Sequence, residues 1–483
     1  MKQILIYVFL ILVGLTSCKK NKNEVIVKGK FIGDIPEEIK YSIPINGICY
    51  VFFQASEKVD SLGNFEIRLN ITNPCFVTFL TKGNMGQLIA EPGENYFVSI
   101  EANNRKNKYH IECKNSIVQK EYQKLISPMF PQFEARKFWD SSISVAKNKI
   151  DSLNNQEISS FEKLLSDGKI SSKIFDLIKF DRTLFYNSLL EQVALYKFVN
   201  AKRKNVETNT DSINELWNEA IMRIPLNSVD ILKSKWAYYH IQNYLQYKEY
   251  MKDGFNCDNR AKAREEGMIH TYLIEIAKKH LNGKVLEFYT ASYIISNAWP
   301  NTFEKELIPL FESFKTDFPK SKYTTYIEPF IKKIIDFHQI AKLDFKKECK
   351  FVDNYQNLNS LDDCLQPFKG KKIYIDIWSI FCGPCKKEFE HNERLKEILK
   401  NKGVDILYIS LDGDKYKNRW KDMIKYYNLS GYNIRANKKL ITDLEKKFGN
   451  FAIPRYLIID KQGKIVNNDA PRPSNIPELE KQL

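Results

Sequence analysis

Hydrophobic positions along this chain follow three regimes. From Val25 to Phe31 (Val25-Ile26-Val27-Lys28-Gly29-Lys30-Phe31) they recur at period two, the spacing of a strand with one buried face. Tyr50-Val51-Phe52-Phe53 is a short apolar strand. Asp60-Ser61-Leu62-Gly63 is a turn feeding Asn64-Phe65-Glu66-Ile67, and Glu91-Pro92-Gly93-Glu94 is another turn. Short strands separated by turns predict a β-sandwich-like domain over 24–115. Over 116–343 the period lengthens. Phe175–Tyr186 and Trp236–Tyr247 carry apolar residues at helical spacing, with breaks at Ser127-Pro128, Asp167-Gly168, Ile224-Pro225, Asp253-Gly254, Asn282-Gly283 and Trp299-Pro300. An all-α region of helix hairpins is expected there. Its many aromatic side chains serve either as packing or as a groove for a client peptide.

Over 344–483 strands and helices alternate. Strands are expected at Phe351-Val352, Ile373–Ile377, Val404–Ser410, Tyr456–Asp460 and Lys464–Val466. Helices are expected at Cys382–Lys402, Arg419–Tyr427 and Leu440–Phe448, with a short one at Pro477–Leu483. This is the pattern of an α/β domain, and the segment is long enough for its own core. The fold class is therefore multidomain: β-sandwich-like, all-α, then α/β.

The first residues point to a compartment. Met1-Lys2 is a short basic start, and Ile4–Leu15 is an apolar run too short to span a bilayer but suited to a signal-peptide core. Leu15-Thr16-Ser17-Cys18 resembles a bacterial lipobox, which implies a signal peptide at 1–17, lipid on Cys18 and a tether over 18–23. More than one acyl chain on Cys18 would anchor the chain stably. Export implies an oxidising surrounding, in which Cys49, Cys75, Cys113, Cys257, Cys349 and Cys364 are allowed disulfides. Their spacing selects no pairing; Cys349 and Cys364, flanking the first strand of the α/β segment, are the first pair to consider. The net charge of +15 is spread along the chain without a dense basic block. It accords with an anionic membrane surface rather than nucleic acid.

The most specific chemistry lies at Cys382-Gly383-Pro384-Cys385. The apolar run Ile373–Ile377 ends there and a charged helical pattern begins, so a strand delivers a C-x-x-C onto a helix N-terminus. Unpaired N–H groups and the helix dipole favour a thiolate at the first cysteine. Half of a zinc site is the alternative, but it needs a second ligand pair, and after Cys385 only His391 offers a ligand. No metal and no cofactor is implied.

Asp376 through Cys385 resembles thioredoxin, and Cys385-Lys386-Lys387-Glu388-Phe389 resembles its TlpA/ResA-like branch. Phe451-Ala452-Ile453-Pro454, ahead of Arg455–Lys464, matches the second anchor of the family, where the Ile453-Pro454 bond is cis and faces the dithiol. The turn pieces at Asp60–Phe65 and Glu91–Glu94 look like the β-domain often fused ahead of such modules in Gram-negative lipoproteins. The resemblance implies a thioredoxin fold for 344–483, with Cys382 as nucleophile and Cys385 as resolving thiol. Gly383 and Pro384 would set the helix start, and Trp378 and Ile453 would shape the site. Asp376 stands at the family's buried carboxylate, which takes the proton of the resolving thiol; the alternative is a strand-end polar residue in water. Glu388 matches the branch's active-site glutamate; the alternative is a first-turn glutamate favoured by the dipole. The Gly-Pro dipeptide is shared with reducing thioredoxins and implies a potential on the order of −270 mV rather than −120 mV.

Two positions depart from thioredoxin. Glu390 replaces the helix-kinking proline, so a straighter helix is expected, and Phe381 replaces the usual Trp. The peroxiredoxin spacing P-x-x-T-x-x-C is absent before Cys382. The function expected is a lipid-anchored thiol–disulfide oxidoreductase facing the periplasm, reducing or reshuffling disulfides of exported proteins. The family implies re-reduction by a membrane donor of the DsbD/CcdA type. A disulfide oxidase or isomerase, and an envelope binding or scaffold lipoprotein with an accessory redox domain, are the alternatives.

Overall fold

The computed structural model describes residues 22–45, 47–81, 84–102, 108–114, 116–204, 210–226, 228–252 and 258–483. The leader with Cys18, the break at Asp253-Gly254, and Cys257 lie outside the described residues. Contacts divide the chain into two compact units. One takes in the chain to Asp258 together with Ile276–Tyr289; the other takes in Asn259–Glu275 and Thr290–Leu483.

In the first unit, eight strands form two four-stranded sheets. They are β1 (Glu24–Gly33), β2 (Glu38–Ile45), β3 (Ile48–Lys58), β4 (Asn64–Asn70), β5 (Cys75–Thr81), β6 (Asn84–Ala90), β7 (Asn95–Ala102) and β8 (Lys108–Glu112). The orders are β4-β1-β7-β8 and β3-β2-β5-β6, and β1 and β7 are parallel. Period two has its physical cause here: Val25, Val27 and Phe31 join Ile67, Val77, Phe79 and Val98 in one buried cluster fed by both sheets. The Asp60 turn closes on itself, with the Asp60 carboxylate accepting from the N–H of Leu62 and Asn64 at 2.9 and 2.7 Å. On the far side of β5 and β6, Phe76 and Ile89 pack with Val118, Tyr122, Phe161 and Ile178 from the helices. The 33-residue helix Ser172–Lys204 is the hub, packed by Ile143–Ser166, Thr210–Met222 and Ala237–Lys252.

In the second unit a six-stranded sheet carries the α/β domain. It is built from β9 (Cys349–Phe351), β10 (Lys372–Trp378), β11 (Val404–Ser410), β12 (Gly431–Arg435), β13 (Arg455–Ile459) and β14 (Ile465–Asn467), in the order β14-β13-β10-β11-β12-β9. β10, β11 and β12 run parallel, while β13 and β14 are antiparallel. β10 is central and buried along nearly its whole length, as an apolar strand between two covered faces must be. β12 was not expected from the sequence. It needs Gly431, whose φ is +132° and where a Cβ would fall 2.4 Å from Ile406 Cγ2. The helices Leu307–Asp317 and Thr324–Ile340 belong to this same unit, held by Phe303, which stacks on Phe337 at 4.3 Å and lies 4.8 Å from Tyr426.

One expectation is corrected, and one open question is answered. Cys382–Lys402 is not one straight helix: Gly383–Glu388 passes through a tight turn at Phe389–His391 before Asn392–Lys402. No proline is required for this. The Phe389 ring is anchored edge-on to Trp378 and tilted against Tyr427, both at 5.2 Å, and the backbone turns to keep it buried. Cys349 and Cys364 are not joined; both are thiols. Burial pushes the Cys364 thiol up to about 12, so it is inert packing. Among the described residues no helix is long and apolar enough to cross a membrane, and no His/Cys/Asp/Glu group has a metal-binding arrangement.

Candidate functional site

β10 leaves the sheet at Trp378, and Cys382 and Cys385 follow within one turn. The two are disulfide-bonded with Cα atoms 5.2 Å apart. Cys382 is the N-cap of Gly383–Glu388, with Pro384 in the first turn, where its missing N–H leaves nothing unsatisfied. The Cys385 N–H donates to Cys382 Sγ at 3.1 Å. Cys382 is 8% exposed and Cys385 0%, so of the two only Cys382, which carries this sulfur, retains any exposure. The helix end supplies N–H groups and a positive dipole to that sulfur.

The strand that leads to the dithiol carries a buried polar layer. Asp376 points to the same face of β10 as Tyr374 and Trp378, and the ladder sets Tyr408 of β11 and Tyr456 of β13 directly beside it. Both Asp376 oxygens, the Tyr408 and Tyr456 hydroxyls and the Trp378 indole N–H are buried without a hydrogen-bond partner among the described residues. Burial pushes the Asp376 pKa well above the carboxylate range, and the nearby charge of Glu388 adds to it. The same burial, with Asp376 next to them, raises Tyr408 and Tyr456. Glu388 is itself tied down, accepting from the Ser474 N–H at 2.9 Å and the Ser474 hydroxyl at 3.1 Å. It is thus a buried residue of the site region rather than a solvated first-turn glutamate.

The Ile453-Pro454 bond is cis. Arg455 pairs with Ile377, which sets Pro454 opposite the end of β10, where the dithiol loop starts. Trp378 is wholly buried, whereas Phe381 is 56% exposed and sits edge-on to Tyr416 at 4.9 Å.

Two supporting residues escaped the sequence reading. Asp412 accepts from the Ser379 hydroxyl (2.7 Å), the Ile380 N–H (2.9 Å) and the Ser410 hydroxyl (2.7 Å). It clamps the loop ahead of the dithiol to the end of β11; a polar residue directly after an apolar strand was its only trace in the sequence. Lys386 is buried, with its ammonium donating to the carbonyls of Pro300 (2.7 Å) and Asn301 (3.2 Å). Burial, with Arg419 nearby, lowers its pKa to about 8. Lys386→Met should release these carbonyls. Amide exchange across 299–304 is expected to accelerate roughly 10–100-fold, the weight of a hydrogen bond to a charged group. Exchange across 404–410 should be unchanged. Equal rates in both proteins would show that Lys386 does not hold the segment.

A dithiol N-capping a helix after a central parallel strand that carries a buried carboxyl group is the arrangement of a thioredoxin-type redox domain. Comparison with known proteins narrows the class. The Redoxin family matches residues 345–483. The thiol-disulfide oxidoreductase ResA of Bacillus thuringiensis subsp. konkukian is 33% identical over 102 residues, covering 21% of this chain and 56% of that protein. ResA of Bacillus subtilis is 27% identical over 105 residues, covering 21% and 54%. A thiol-disulfide oxidoreductase structure from Bacteroides fragilis is 26% identical, covers 24% of this chain and 85% of that one, and has a TM-score of 0.22. The chain thus spans a little over half the length of the curated relatives it matches. Its C-terminal segment matches the Redoxin family and is similar over 102 residues to ResA-type thiol-disulfide oxidoreductases.

Proposed function

We propose that the protein is a thiol–disulfide oxidoreductase, lipid-anchored through Cys18 and facing the periplasm, that reduces or reshuffles disulfides of exported proteins. The observation that carries this reading is the Cys382–Cys385 disulfide at the N-cap of the helix that follows β10, the strand of the buried Asp376. In the reduced protein the Cys382 thiolate attacks one sulfur of a client disulfide. The client S–S bond breaks, a mixed disulfide forms, and one client thiolate leaves. Asp376 takes the proton of Cys385, whose thiolate attacks Cys382 Sγ. The mixed disulfide breaks, the second client thiolate departs, and Cys382–Cys385 is restored. Two electrons pass to the client, so a dithiol donor must return two; a membrane protein of the DsbD/CcdA type fits this role. Gly383, Pro384, Trp378 and Ile453 shape the site, Pro454 faces the sulfurs, and the charge of Glu388 strengthens Asp376 as a proton acceptor. The domains run as 24–115, a β-sandwich-like scaffold, 116–343, helical, and 344–483, the redox domain.

The reduction potential tests the direction of flow. Equilibrated with defined thiol buffers, the purified protein is expected to titrate near −270 mV, about the thioredoxin value. A value near −120 mV would make it an oxidase instead. The absence of any reversible dithiol transition would leave a binding or scaffold lipoprotein.

A further inference from the structure

In the first unit a cavity of about 490 Å³ opens between β6, β8 and the chain that follows helix Ser116–Gln123, walled by Gly86, Gln87, Tyr109, His110, Tyr122 and Ser127. Both β6 and β8 are outermost in their sheets. Two observations fix which backbone groups of β6 face outward. Thr78, opposite Gln87 in the β5–β6 ladder, sends its N–H the other way, to Ser42 Oγ at 2.8 Å. Thr78 and Gln87 are therefore a non-hydrogen-bonded pair, and the Gln87 N–H and C=O turn away from β5. Two residues on, the outward N–H and C=O of Ile89 are both taken by the Gln119 carboxamide, at 3.1 and 2.8 Å. A buried side-chain amide stands there in the place of a neighbouring strand.

Gln87 has no such partner. Among the described residues no strand is laddered to its outward side and no turn, loop or side-chain group bonds that backbone pair, and its Nε2 is buried and unbonded, the residue being 8% exposed. The orientation of that amide is set: Ser127 Oγ donates to Gln87 Oε1 at 2.9 Å, and Lys235 Nζ donates to Ser127 Oγ at 2.6 Å. Beside it Gly86 lets the Tyr109 ring close against β6 as one wall of the cavity, because a Cβ there would lie 2.5 Å from that ring.

We propose that this cavity is a strand-addition site, in which an extended segment of unfolded polypeptide pairs with β6 at Gln87 and continues the pairing that Gln119 begins at Ile89. One outward donor and one outward acceptor on a single residue match a peptide unit of an added strand, and Gln87 Nε2 gives a second donor for a carbonyl of the same segment. The main chain supplies the binding and the cavity receives alternate side chains. The site lies outside the redox domain, and its occupant needs no cysteine.

The test uses the full chain and a short cysteine-free peptide of alternating Ser and Val, beside an analogue N-methylated at every second residue along one edge. The plain peptide should bind and slow amide exchange at Gln87, and the methylated one should bind at least about tenfold more weakly, a loss of roughly 1.4 kcal/mol. Gln87→Pro removes the outward N–H at an edge position where proline is tolerated, and should weaken binding by a similar factor. Should that variant misfold, the methylated peptide decides alone. Equal binding of the two peptides, protection elsewhere than 85–89, or no binding at all would overturn the proposal. None of these outcomes bears on the dithiol.

Discussion

Cys382→Ser is expected to reduce disulfide-reductase turnover to background, and Cys385→Ser to stop it half-way. Exposure dictates the difference. Cys382 retains some exposure, while Cys385 has none. A serine at 382 offers no thiolate for the first exchange. A serine at 385 leaves the first exchange intact but removes the sulfur that releases the client. The Cys385→Ser protein should therefore accumulate a mixed disulfide, visible as a reducible rise in mass in the presence of a disulfide-bearing client. The two substitutions act on one unit, so the double variant should be no slower than Cys382→Ser alone. A Cys382→Ser protein with wild-type turnover would remove the redox role from this site.

The second large effect has two signs. Asp376→Asn should slow turnover and stabilise the fold at neutral to alkaline pH. Both oxygens of Asp376 are buried without hydrogen-bond partners among the described residues, and burial raises its pKa well above the usual range. The native protein therefore keeps this proton to a higher pH than the unfolded chain does. The stabilising contribution is complete below the unfolded pKa of about 3.9 and is lost progressively as pH rises toward the folded value. The asparagine variant has no such dependence. In thermal melts from pH 4 upward it should gain steadily on wild type, by about 1.4 kcal/mol for each pH unit until the folded pKa is reached. Client release should slow by roughly 10²–10⁴-fold, because a general base has been lost. Parallel pH–stability curves for the two proteins would mean that Asp376 does not carry a raised pKa.

The sequence made the α/β segment legible because its long apolar strands and its C-x-x-C are local signals. β11 begins and ends where the pattern Val404–Ser410 places it, and the dithiol follows β10 as read. β12 was missed because Gly-Tyr-Asn-Ile-Arg has no strand period of its own. Its Asn433 is buried, with Nδ2 donating to the Leu429 carbonyl at 3.1 Å and to the Gly431 and Lys350 carbonyls at 3.3 Å, and with Oδ1 unpartnered among the described residues. The turn at Phe389–His391 was missed for a related reason: a proline rule reads the backbone, whereas packing of the Phe389 ring breaks this helix. Lys386 shows the limit of composition. A lysine on a charged helix reads as solvated, and only the fold brings it to the carbonyls of Pro300 and Asn301.

Asp412 has a consequence for the cycle as a whole. Its carboxylate joins the loop at Ser379 and Ile380 to Ser410 at the end of the neighbouring strand. The dithiol therefore stands on the sheet rather than on its own loop, and none of these three bonds involves sulfur. When Cys382 and Cys385 are reduced, the scaffold beneath them keeps every one of these restraints. Oxidised and reduced forms should share a single backbone and differ little beyond the sulfur positions. A partner that recognises the shape around the site would then meet the same surface before and after electron transfer, and must be released by a change in bonding rather than a change in form.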